Sequence, residues 1–150
     1  MAGKPTNGNG RLRMRIGLSA TIIGLIMYLL GADPALFNLD RSPVTGAVQI
    51  LVFLVGLAII CIGGYISLAS IWSGYQKTIA ADIGMRLVST GYVLAVASGT
   101  ADLLGFGSHV LPDVFPYFGA WQETGVLIGE AVIALGFFLM IPFHRQEQAR

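Results

Sequence analysis

The sequence predicts an all-α integral membrane protein, a bundle of four transmembrane helices with glycine-rich faces and both termini in the cytoplasm. Three observations lead there. Hydrophobic residues make up 55% of the 150 and charged residues 11%, with a mean hydropathy of +0.73, a balance outside the range of soluble domains. The apolar residues fall in four long runs, each near the roughly 20 residues a helix needs to cross the hydrocarbon. Of the nine Lys and Arg residues, Lys4, Arg11, Arg13, Arg15, Lys77, Arg86, Arg145 and Arg150 fall on one side of such a four-pass chain, and Arg41 alone on the other. An excess of basic residues marks the cytoplasmic side.

Residues 1–15 read as a disordered, basic cytoplasmic tail, since MAGKPTNGNG holds little to bury. The first span follows at about 16–32. A basic flank before a short apolar run also describes a signal peptide. Here Leu30-Gly31-Ala32-Asp33-Pro34 lacks a good small-x-small cleavage site and sets Pro just beyond the cut, which predicts a retained helix. An outer loop leads to Ser42 and Pro43, a capping hydroxyl followed by a residue suited to the first helical position, and the second span runs over about 43–72. At roughly 1.5 Å per residue it is about 45 Å long, enough to tilt. Trp72 and Tyr75 mark its inner interface. Residues 73–86 form an inner loop carrying Lys77 and Arg86, and the third span covers about 87–106. A second outer loop, 107–122, holds Phe115, Tyr117, Phe118 and Trp121 as an aromatic belt. The fourth span runs over about 123–143, and 144–150 return to the cytoplasm. Residues 16–143 thus form one transmembrane domain, expected in a plasma membrane or a bacterial inner membrane.

Small residues recur every seven positions in each span: Gly17, Gly24 and Gly31; Gln49, Gly56, Gly63 and Ser70; Gly84, Gly91 and Ser98; Gly129 and Gly136, with Gly125 completing a GxxxG. A seven-residue period keeps one face toward its neighbours in a left-handed bundle, and small side chains let backbones approach closely. The glycines are therefore read as helix-packing residues. They speak to architecture rather than to chemistry.

Two acids fall within the apolar spans. Counting back three, four, seven and eleven residues from Asp102 gives Gly99, Ser98, Ala95 and Gly91, so Asp102 shares the small, packed face of its helix. Glu130 shares a stripe with Glu123 and lies about 100° around the helix from Gly129. A carboxyl that loads and releases a proton is what coupled transport requires, and an intramembrane acid is a functional-site hypothesis by default. The structural alternatives are a hydrated helix-end carboxylate for Asp102 and hydrogen-bonding glue for Glu130. Gln49 sits at similar depth, so Gln49, Asp102 and Glu130 are expected to converge in the outer half of the bundle with Tyr28 nearby, below His109, Asp113 and Arg41 on the loops.

Other chemistry finds little support. Cys61 is the only cysteine, which excludes an internal disulfide or a CxxC pair, and it reads as a core residue. Asp102, His109, Asp113 and Glu130 match no metal cage, and His109 and His144 fall on opposite sides, so neither metal nor haem is expected. No nucleophile stands at a recognisable spacing from a base, and there is no phosphate-cradling glycine loop. Near-neutral net charge argues against nucleic acid. Two functions follow as expectations. The first is a non-enzymatic accessory or assembly subunit, without cofactor, packing in the lipid bilayer against other membrane proteins or its own copies. The second is a small proton- or cation-coupled transporter using Glu130 and Asp102.

Overall fold

The computed structural model describes residues 7–37, 47–72, 77–106 and 119–142. These residues are helical apart from turns and contain no strand. Helix α1 spans Asn7–Ala32, α2 spans Ala47–Ile71, α3 spans Ile79–Gly99 and α4 spans Ala120–Met140, with a short 3-10 turn at Pro34–Phe37. All four α-helices are long and apolar enough to cross a membrane, the composition of a multi-pass membrane protein. Arg41, the Ser42-Pro43 start, Tyr75, His109, Asp113, most of the aromatic belt and the C-terminal tail lie outside the described residues.

Helix boundaries differ from the sequence reading in ways that local chemistry explains. Within the segment read as a disordered tail, residues 7–15 belong to α1. A helix already held by a packed span extends at little cost, one hydrogen bond per residue fixed, and Arg is a good helix former. Helix α3 starts at Ile79 and ends at Gly99, eight and seven residues earlier than the reading of 87–106 (87 − 79 and 106 − 99). Thr78 caps it, its Oγ1 accepting the Ala81 N–H at 3.2 Å. Asp82 follows in the first turn and pairs with Arg86 one turn on, Nη2 to Oδ2 at 3.1 Å. Those polar residues look like a loop and are a helix start. At the other end the Thr100 hydroxyl donates to Val96 O at 2.7 Å, and the chain turns through 100–105 to Gly105 at φ 78°. Helix α4 begins at Ala120 rather than 123, because Gln122 Oε1 accepts the Gly119 N–H at 2.7 Å, the reciprocal half of a capping box. It stops at Met140 rather than 143: Pro142 follows, and Ile141 before it is extended.

The chain runs up, down, up and down, and forms two tight antiparallel hairpins. In the first, Gly17 lies against Gly63 and Ser67, Gly24 against Gly56 and Ile60, and Gly31 against the backbone of Phe53. A Cβ added at Gly24 would stand 2.7 Å from Ile60 N, and one at Gly63 2.6 Å from Thr21 N. In the second hairpin a Cβ at Gly84 or Gly91 would stand 2.5 Å from the carbonyl oxygen of Gly136 or Gly129, and Gly125 faces the Ser98 side chain. Only hydrogen leaves room for backbones this close.

Larger side chains join the hairpins. Leu57 and Cys61 of α2 pack with Val88 and Ala95 of α3 and Ile133 of α4, flanked by Tyr28, Tyr92 and Phe137. Trp72 Nε1 donates to Met140 O at 2.9 Å, tying the far end of α2 to a carbonyl that α4 cannot satisfy itself. The outer surface carries Ile, Leu and Val while the tight contacts are Gly and Ala; Ile79, for example, is 82% exposed. Such a surface suits lipid, where the drive to pack comes from close contact instead of water exclusion.

Candidate functional site

Helix α2 packs against the other three helices, whereas no Cα of α1 comes within 8 Å of one in α4 among the described residues. That gap is a cleft of about 280 Å³ whose wall includes Tyr28 and Gly31 of α1, Phe53 of α2, and Glu123, Val126 and Glu130 of α4. Glu130 stands ten residues from each end of α4 (130 − 120 and 140 − 130). At roughly 1.5 Å per residue it is about 15 Å from either end, at mid-span and deeper than the sequence reading put it, since α4 starts earlier.

Tyr28 bridges the gap. Its Oη donates to Glu130 Oε1 at 2.6 Å, within the range of an O–H···O hydrogen bond. Helical side chains lean toward their own N-terminus. In antiparallel α1 and α4 the Tyr28 ring therefore leans inward from near the end of α1, and Glu130 leans back to meet it. The ring is held edge-on to Phe53, centroids 6.1 Å apart and planes at 87°. Phe53 is held in turn by the backbone contact with Gly31 and by Val126 and Leu54. The glycine period thus positions the phenol, because Gly31 lets α2 approach closely enough to set Phe53 beneath it.

Glu123 lines the same cleft two turns from Glu130 and is exposed. Asp102 and Gln49 do not line it. Asp102 lies in the turn beyond α3, half-buried, and its Oδ1 has no hydrogen-bond partner among the described residues. Gln49 sits in the first turn of α2, half-buried. The site that forms joins Glu130 to Tyr28 and Glu123 rather than to Asp102 and Gln49. Among the described residues no basic side chain lines it, and Arg86 is committed to Asp82 on the surface. Among the described residues no three of His, Cys, Asp and Glu gather closely enough to hold a metal ion.

Gln122, read as a loop residue, is a fully buried side chain at 0% exposure. Its position three residues after Gly119 was the available signal. Its Nε2 has no partner among the described residues. The remaining packing residues, Gly17, Gly24, Gly56, Gly63, Gly91, Gly125, Gly129 and Gly136, all face a partner helix inside their own hairpin.

No protein-family model, curated protein or solved structure matches this chain.

Proposed function

We propose that this protein is a small, non-enzymatic, proton- or cation-coupled membrane transporter in which Glu130 loads and releases the coupling ion. One observation carries the reading: a carboxyl at mid-span, with no basic side chain against it among the described residues, bridged by Tyr28 across the cleft between α1 and α4. Ionised, Glu130 accepts the phenol's hydrogen bond with charge assistance; on taking up a proton it loses that assistance, and the bridge weakens. Each hairpin is locked internally by backbone contacts, so a change in the bridge is expressed as movement of one hairpin against the other. The alternative is an accessory or assembly subunit; with the glycine faces turned to sister helices, its partner would meet the outer surface of the bundle. The charge bias supports both termini in the cytoplasm of a plasma or bacterial inner membrane, with the mouth of the cleft toward the outside.

The test is a proteoliposome assay with an internal pH dye and external pulses of Na⁺ or K⁺ salts. The wild type is expected to show cation-driven alkalinisation that Glu130→Gln abolishes. No cation-driven change, or an equal change in Glu130→Gln, overturns the reading.

A further inference from the structure

We infer that the cleft between α1 and α4 binds a linear α,ω-diamine, one ammonium group at Glu130 and the other at Glu123. The inference rests on Glu130 being an ion-binding carboxyl, as proposed above, and goes further by naming the ligand. Glu123 and Glu130 are seven residues apart on one face of α4 and line the same cleft. At roughly 1.5 Å per residue that is about 10.5 Å, or two turns. Two carboxylates so separated do not chelate one metal ion, and no third ligand gathers near them among the described residues. They match instead a ligand with two cationic ends.

The wall between the acids completes the match. Val126 and Leu127, the residues that line the cleft between them, are apolar, suited to a polymethylene chain. Tyr28 stands at the Glu130 end with its hydroxyl on the carboxylate, and Phe53 packs perpendicular to it beside Val126; ring faces attract ammonium groups. The volume of about 280 Å³ lies just below the roughly 300–1,000 Å³ typical of pockets for drug-sized ligands, which selects a slender molecule. Glu123 is exposed and Glu130 half-buried, so one end of the ligand reaches mid-span while the other stays near the mouth. A monoamine would leave one carboxylate unmatched. The diamine neutralises both.

The experiment is isothermal titration of the full chain in maltoside micelles with cadaverine and with pentylamine, which share a carbon chain and differ by one ammonium. Cadaverine is expected to bind about two- to fivefold more tightly, the size of an ion pair at an exposed carboxylate. Glu123→Gln should bring cadaverine to the pentylamine level and leave pentylamine unchanged. Glu130→Gln should weaken both by about tenfold or more. Glu123 is exposed and both changes are near-isosteric, and an unchanged gel-filtration profile verifies the fold. Equal wild-type affinity for the two amines, or a preference that survives Glu123→Gln, overturns the inference. Sodium- or potassium-driven flux without any diamine preference would sink this inference alone. A Glu123-dependent preference without flux would sink only the transport reading.

Discussion

Replacing Gly91 by Ala tests whether backbone contact holds the second hairpin together. The new Cβ would stand 2.5 Å from Gly129 O and 2.9 Å from Ile133 N, where ordinary contact begins at 3.4 Å. The deficit is 0.9 Å (3.4 − 2.5). Both opposing atoms belong to helix backbone already committed to its own hydrogen bonds, so the helices must part. A gap of about 0.5–1 Å forfeits a quarter to a half of the dispersion energy of the facing atoms. Overpacking of this kind costs about 1–3 kcal/mol. Two other glycines serve as controls. At Gly99 the nearest atom to an added Cβ is Leu54 Cδ1 at 3.4 Å, the tip of a flexible side chain, and at Gly10 nothing lies within 4 Å. There Ala should be neutral or, through helix propensity, stabilising by up to about 1 kcal/mol. Thermal or SDS-induced unfolding in one detergent, followed by circular dichroism, gives the order Gly10→Ala ≥ Gly99→Ala ≫ Gly91→Ala. Equal midpoints for Gly91→Ala and Gly99→Ala would refute the close-contact argument.

Tyr28→Phe removes the bridge to Glu130 and should cost about 0.5–1.5 kcal/mol in the same unfolding assay while changing cation-driven flux; unaltered flux would detach Tyr28 from the mechanism. Thr78→Ala removes the α3 cap and should cost about 1 kcal/mol, with faster amide exchange confined to 79–82. Exchange that speeds up equally along all of α3 would contradict a local cap. Reporter fusions at each end should both read cytoplasmic, and a periplasmic or extracellular signal from either would invert the proposed sidedness.

Hydropathy and spacing alone made the four helices legible, because long apolar runs have few other fates. Their ends were less so. Thr78, Asp82 and Arg86 are polar and resemble a loop, yet they cap and staple a helix start, and Gln122 hides an N-terminus in the same way. At the site, Glu130 stood out as an intramembrane acid with Tyr28 expected nearby, but Tyr28 did not stand out as its hydrogen-bond partner. Whether Glu130 meets Asp102, Gln49 or Tyr28 depends on how two hairpins dock, and a seven-residue period describes contacts within a hairpin equally for every docking angle. Asp102 was drawn into the site by treating residues to 106 as helix, when the Thr100 turn takes it out.

The division into two hairpins also bears on how the molecule is made. Each glycine-lined pair joins helices that are neighbours in sequence, and its glycine contacts need nothing from the other half. The first pair can assemble as soon as it leaves the ribosome, before the second is synthesised. The two hairpins are joined through the segment between Trp72 and Lys77. A chain cut there and produced as two polypeptides should reassemble in the bilayer, guided by the Trp72 bond to Met140 and the shared core around Leu57.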